Sequence, residues 1–199
     1  MVEVSGVDEA GRGAVIGPLV ICIVNLTSKD LQEINLDPAI KDSKTLSESK
    51  RKRIYLKYSQ KINHVFCILQ PSQIDAAVSK NKLNILEVDS ICLKLRSFAV
   101  KPKVLNSDCM GLFSTETYFQ QQMALLNPGI ILQTFVKGES IKKEIALASI
   151  FAKEEREKQI NKALYGSGYP SDKRTRDFLR QNPLFKERRF SWKLKKEVF

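Results

Sequence analysis

Histidine occurs once in the 199 residues, at His64, and the four cysteines, Cys22, Cys67, Cys92 and Cys109, form no C-x-x-C pair. A zinc site needs closely spaced Cys or His ligands, so this chemistry is excluded. Each cysteine stands in or beside an apolar stretch, which reads as a small buried hydrophobe in a reducing compartment. No apolar run reaches the ~18 residues that a membrane span needs. The longest, Ala14 to Val24, is interrupted by Gly17-Pro18. Met1-Val2-Glu3-Val4 lacks the basic lead and apolar core of a signal peptide. The expectation is a cytoplasmic protein with no membrane segment.

Acidic residues are also scarce: 22 Asp and Glu stand against 33 Lys and Arg, for a net charge of +11. Nucleic acid is the commonest partner of so basic a domain, because each neutralised phosphate releases counterions. A basic surface kept for solubility is the plainer alternative. The charge is uneven: Lys41 to Lys61 and Lys173 to Lys196 are rich in Lys and Arg, whereas the first forty residues are not and carry Asp8-Glu9. An acidic centre framed by basic segments suits a metal site within a phosphate-binding surface. The length fits one globular domain that buries roughly 70% of its unfolded surface and needs no disulfide or structural metal to fold.

The hydrophobic pattern predicts strands over Val2–Val7, Val15–Leu26, Asn63–Leu69, Val104–Asp108 and Ile130–Val136. Gly17-Pro18 marks a bulge or edge position at the start of the second. Thr45-Leu46-Ser47-Glu48 has capping-box spacing and opens a basic helix to about Gln60. Pro71 opens a short helix, and Ile85, Val88, Cys92 and Leu95 form the stripe of a helix packed on the sheet. Further helices are expected over Ser114–Leu126, Lys142–Leu164 and Asp172–Gln181, with an irregular turn at Gly166-Ser167-Gly168-Tyr169-Pro170. Strands in a meander followed by strands alternating with helices imply an α/β fold: a mixed five-stranded sheet, antiparallel first and parallel later, flanked by helices.

Asp8-Glu9 follows the first predicted strand and precedes the glycine turn Gly11-Arg12-Gly13. Successive side chains on a strand point to opposite faces, so one carboxylate reaches a common site directly and the other around the turn. An isolated Asp-Glu is a solvated acidic turn. Here the neighbours are small and apolar, where an unpaired charge is costly to bury without a cation. Asp108 ends another strand, and Glu139 follows the last. Strand ends carrying carboxylates suit Mg²⁺ or Mn²⁺, which prefer oxygen ligands. Gly11 and Gly13 permit close backbone approach to a ribose 2′-hydroxyl, the group that distinguishes RNA from DNA. Lys44 lies before a helix, where lysine and free N–H groups favour a phosphate, or is an ordinary surface lysine. Tyr169 either stacks on a sugar or base or packs at its turn. Ser149, on a helix of small residues, reads as a packing residue, with no histidine near it in sequence to activate it.

These motifs resemble ribonuclease HII, and in the tail its archaeal branch. Gly6-Val7-Asp8-Glu9-Ala10-Gly11-Arg12-Gly13 through Gly17-Pro18 is similar to the family's opening. Asp42-Ser43-Lys44-Thr45-Leu46-Ser47, Asp108, Ala148-Ser149-Ile150-Phe151-Ala152-Lys153 with Arg156, Gly166 to Asp172 and Ser191-Trp192 follow in the family's order. The resemblance implies an RNase H-like catalytic domain over 1–165 with a helical C-terminal extension over 166–199 packed on it. It implies endonucleolytic cleavage of RNA in RNA–DNA hybrids and of ribonucleotides embedded in duplex DNA, leaving 5′-phosphate and 3′-hydroxyl ends. Asp8, Glu9, Asp108 and Glu139 would hold two Mg²⁺ or Mn²⁺ ions. Gly11, Arg12 and Gly13 would read the 2′-hydroxyl at the RNA–DNA junction, Tyr169 would stack there and Lys44 would bind substrate.

In one respect the chain departs from the pattern: the family's fourth carboxylate is usually Asp, and here it is Glu139. Asp-Glu-Asp-Glu resembles the sister family, ribonuclease HIII, which carries an additional N-terminal domain; with the pair at residue 8 the expectation stays with HII. The alternatives are an HIII-like enzyme restricted to longer RNA tracts and a nucleic-acid-binding module without catalysis. The chain is expected to act as a monomer. A replication clamp is a further candidate partner, although no clear clamp-binding pattern ends the segment Trp192 to Phe199.

Overall fold

The computed structural model describes residues 2–41, 43–108 and 113–192, without the side chains of Val2, Phe113 and Ser114. Asp42, Cys109 and the basic tail beyond Trp192 lie outside the described residues. Strands β1 (Val2–Ala10), β2 (Leu19–Thr27), β3 (Asn63–Leu69), β4 (Val104–Asp108) and β5 (Ile131–Phe135) form one sheet in the order β3-β2-β1-β4-β5. β2 runs antiparallel to β1 and β3, whereas β4 runs parallel to β1 and β5. This is the expected mixed sheet, and β1 sits at its centre.

β2 is apolar on both sides because helices cover both faces of the sheet. Val20, Cys22, Val24 and Leu26 point into a core with α1 (Ser28–Leu36), α2 (Glu48–Tyr58) and α6 (Lys143–Gln159). Leu19, Ile21 and Ile23 point the other way, towards α3 (Pro71–Val78), α4 (Leu83–Ser97) and α5 (Phe113–Leu126). The short α7 (Lys162–Tyr165) and α8 (Lys173–Gln181) lead to the C-terminal segment. A smaller cluster joins Val15 and Ile16 to Ile160, Tyr165 and Leu179, so the segment after residue 165 shares a core with the residues that follow the glycine turn.

Several boundaries differ from the sequence reading. β1 runs on through Asp8 and Glu9 to Ala10, because their backbones stay in register with Cys22, Ile21 and Val20. The second strand begins at Leu19, after Gly17-Pro18. Val15 to Gly17 instead bond to the backbone of Gly168, Glu187 and Arg189. The basic helix starts at Glu48 with Ser47 as its cap, and Ser43–Thr45 forms a separate 3-10 turn. The long helix ends at Gln159, and Asn161 caps α7 through its side chain. Helix α1 has no counterpart in the sequence reading. Its signal is Thr27 with Asp30 three residues on: Asp30 N–H donates to Thr27 Oγ1 at 3.2 Å and Thr27 N–H to Asp30 Oδ2 at 2.9 Å. That is a capping box, with Asp in place of Glu.

Candidate active site

The sheet register fixes where each carboxylate points. Asp8 pairs with Cys22, whose side chain lies on the α6 face, and Glu9 pairs with Ile21, on the α4 face. Asp8 is buried beneath α6. Its Oδ1 accepts the Glu9 N–H at 2.8 Å, and the Ser149 hydroxyl also bonds to its carboxylate. Ser149 is thus a tether for Asp8. Its Oγ lies 2.7 Å from Ser43 Oγ, which accepts from Lys153 Nζ at 2.7 Å. Sequence reasoning gave Ser149 and Ser43 no such function, because the link spans more than a hundred residues.

Asp108 ends β4, beside β1, and its Oδ1 accepts the Gly138 N–H at 2.7 Å. The same 3-10 turn, Gly138–Ser140, carries the buried Glu139. Burial, then repulsion from Glu9, holds the Asp8 carboxyl well above its usual range, and Asp108 adds to the effect. Glu9 is also raised, first by burial, with Asp108 and Glu139 adding and the Arg12 guanidinium opposing. The four sequence-predicted carboxylates therefore repel one another within one region. Among the described residues, no three Asp, Glu, His or Cys close into a preformed metal cage.

Lys44 Nζ donates to Glu139 Oε1 at 2.6 Å; the lysine side chain is 71% exposed and the glutamate side chain 3%. The other Glu139 oxygen, Oε2, is buried and has no hydrogen-bond partner among the described residues. Lys44, Ser43, Lys153, Arg156 and Tyr169 line a cleft of about 340 Å³ beside Ala10, at the end of β1. Neither this cleft nor a larger depression of about 630 Å³ between Lys162 and Asp177 is lined by any of the four carboxylates; the cleft adjoins them through Ala10 and through Lys44, the partner of Glu139.

The glycine turn is held from several sides. Gly11 N–H donates to the Tyr169 hydroxyl at 2.9 Å, and the Tyr169 ring lies 4.9 Å from the Arg156 guanidinium. Arg189 donates to the carbonyls of Arg12 at 3.0 Å and Gly17 at 2.9 Å. The Arg12 side chain turns towards α4, where it meets Glu87 and Asn84. Gly11 has φ +88°, and a Cβ there would lie 2.3 Å from Arg156 Nε and 2.7 Å from the Pro18 carbonyl oxygen. A Cβ on Gly13 would meet nothing within 4 Å.

The ribonuclease HII family model matches residues 5–195. The chain belongs to the ribonuclease HII family. The ribonuclease HII of Methanococcus maripaludis is 34% identical over 183 residues, covering 88% of this chain and 76% of that protein. The crystal structure of ribonuclease H2 from Pyrococcus horikoshii superposes with a TM-score of 0.82 at 28% identity, covering 98% and 96% of the two chains. The ribonuclease HII in complex with PCNA from Archaeoglobus fulgidus gives 0.81 at 27% identity, with the same coverage. Bst-RNase HIII in complex with Mn²⁺ gives 0.72 at 15% identity, which speaks to fold alone. The chain is a ribonuclease H, an endonuclease that hydrolyses phosphodiester bonds. Among the described residues no helix is long and apolar enough to cross a membrane.

Proposed function

We propose that this ribonuclease HII cleaves RNA in RNA–DNA hybrids and at ribonucleotides embedded in duplex DNA, using two Mg²⁺ or Mn²⁺ ions held by Asp8, Glu9, Asp108 and Glu139. The observation that carries the metal reading is Glu139: a buried carboxylate with one oxygen on an exposed lysine and the other without a hydrogen-bond partner among the described residues. A buried anion so incompletely satisfied calls for a cation. Asp8, Glu9 and Asp108 in the same field supply hard oxygen donors, and the two raised carboxyls are those that a divalent ion would return to the charged form. The chemistry such ions supply is activation of a water and stabilisation of the leaving 3′-oxygen. The resulting ends are a 5′-phosphate and a 3′-hydroxyl.

In this reading residues 1–165 form the catalytic unit and 166–199 an extension packed on it. Gly11, Arg12, Gly13 and Tyr169 form the junction-reading surface, supported by the hydrogen bond that ties Tyr169 to Gly11. Lys44 and Lys153, lining the cleft beside Ala10, bind phosphate. The ribonuclease HII of Archaeoglobus fulgidus forms a complex with PCNA, and a replication clamp is a candidate partner of this chain as well.

The test is cleavage of a DNA duplex containing one ribonucleotide and of one containing a block of four, in Mg²⁺ or Mn²⁺. Nicks leaving 3′-hydroxyls are expected in both. Cleavage of neither would overturn the reading, and cleavage of the block alone would assign the longer Glu139 side chain to an HIII-like preference. Gly13→Ala separates the turn's fold role from its substrate role. Since the added methyl meets no protein atom, thermal stability should stay within ~0.5 kcal/mol of wild type. Cleavage at a single ribonucleotide should nevertheless fall about tenfold or more, because backbone approach to the 2′-hydroxyl is blocked. Unchanged cleavage would remove Gly13 from the substrate surface.

A further inference from the structure

The Arg12 guanidinium stands between two acidic groups. Glu9, a proposed metal ligand, lies within its field, but its direct ion-pair partner is Glu87 on α4: Arg12 Nη1 donates to Glu87 Oε2 at 2.5 Å. Arg12 Nη2 donates to Asn84 Oδ1, and Asn84 Nδ2 in turn donates to Thr115 Oγ1 at 3.1 Å. The side chain of Arg12 is therefore anchored to the α4–α5 layer. What the loop leaves available is backbone and the open side of Gly13.

Glu87 is a fully buried carboxylate inside an apolar helix stripe; among the described residues Arg12 is its ion-pair partner and its second oxygen, Oε1, has no hydrogen-bond partner. Burying a carboxylate there is costly: burial pushes the Glu87 carboxyl up to about 8, with Arg12 pulling the other way. A Leu or Met would pack better at a position whose neighbours in sequence include Val88 and Ile91, both in the core. A buried acid kept at such cost points to a function in orientation rather than stability.

We propose that Glu87 is a positioning residue for RNA–DNA junction specificity. It takes the Arg12 side chain, so that Gly11-Arg12-Gly13 presents its backbone to the substrate and Arg12 stays off Glu9. The inference rests on the junction-reading assignment of this loop. It adds a residue 75 positions away in sequence that sets the loop's conformation.

Glu87→Met and Glu87→Gln test it. Removing the buried carboxyl leaves no orphaned partner, because Arg12 is 33% exposed and keeps Asn84. Both variants are therefore expected to fold. In Glu87→Met, the ratio of cleavage at a single embedded ribonucleotide to cleavage of a continuous RNA–DNA hybrid should fall roughly tenfold, the size of one charge-assisted hydrogen bond. Amide exchange at Gly11 and Ala14, whose N–H groups donate to the Tyr169 hydroxyl and the Gly11 carbonyl, should quicken by a similar factor. Glu87→Gln keeps an acceptor for Arg12 and should restore most of both. An unchanged ratio, or equal losses on both substrates with unchanged exchange, would overturn the proposal. If the wild type fails to cut single ribonucleotides, the junction reading is lost. The exchange measurement then still decides, independently, whether Glu87 holds the loop.

Discussion

Asp8→Asn is expected to abolish cleavage while raising the stability of the metal-free protein. The loss should exceed the ~100-fold seen when an outer-shell partner of a metal is removed, because Asp8 is a proposed direct ligand. The gain follows from the sign of the Asp8 shift. The folded carboxyl takes a proton more readily than the unfolded one, whose usual value is 3.8. As pH rises above that value, the unfolded chain ionises first and the folded state loses stability until the folded carboxyl also ionises. Metal-free wild type carries that loss as the pH rises above the usual carboxylate range, with Glu9 adding to it in the same direction. Asparagine keeps the shape and a polar contact for Ser149 and carries no charge. The melting temperature in EDTA should rise by ~2–4 °C for each kcal/mol regained. Added Mg²⁺ or Mn²⁺ should stabilise wild type and not the variant. An Asp8→Asn protein that melts below wild type in EDTA would show that burial of the charged form is not the dominant cost.

Gly6→Ala has the opposite character: it touches no proposed ligand and should unfold the protein. A Cβ on Gly6 would lie 2.3 Å from the backbone carbon and oxygen of Glu144, at the start of α6. Backbone cannot yield as a side-chain tip can. Either β1 or α6 must shift, and between them they carry Asp8 and Ser149. Overpacking a core costs ~1–3 kcal/mol when side chains give way, and here the cost should exceed that range. Against a total stability of ~5–15 kcal/mol, the variant should melt far below wild type or accumulate as insoluble protein. Gly6→Ala with a wild-type melting curve would mean that the helix sits farther from the strand than 2.3 Å implies.

The fold was readable wherever periodicity was unbroken. Asn63–Leu69 and Val104–Asp108 are bounded in the structure as the sequence predicts, and the order of antiparallel and parallel pairing follows from the spacing of the elements. Reading failed where a short local signal was passed over, as with Thr27 and Asp30, or where tertiary partners override local pattern. Val15 and Ile16 look like strand residues, and they do hydrogen-bond as extended backbone, but to a segment more than 150 residues later. The candidate ligands Asp8, Glu9, Asp108 and Glu139 were legible as acidic strand ends in a family order. The residues that hold them were not. Ser149 looked like a packing residue until α6 lay across Asp8, and nothing near Glu87 in sequence announces that Arg12 is its partner. Long-range polar pairs leave no period in a sequence.

Arg189 fastens the carbonyls of Arg12 and Gly17, and Tyr169 fastens the amide of Gly11. The loop at residues 11–17 is therefore secured by side chains synthesised more than 150 residues after it. A nascent chain translated through α6 already possesses its four carboxylates, yet the turn beside them is still loose. A product truncated after α6 would carry these carboxylates without the Tyr169 and Arg189 contacts that fasten the turn.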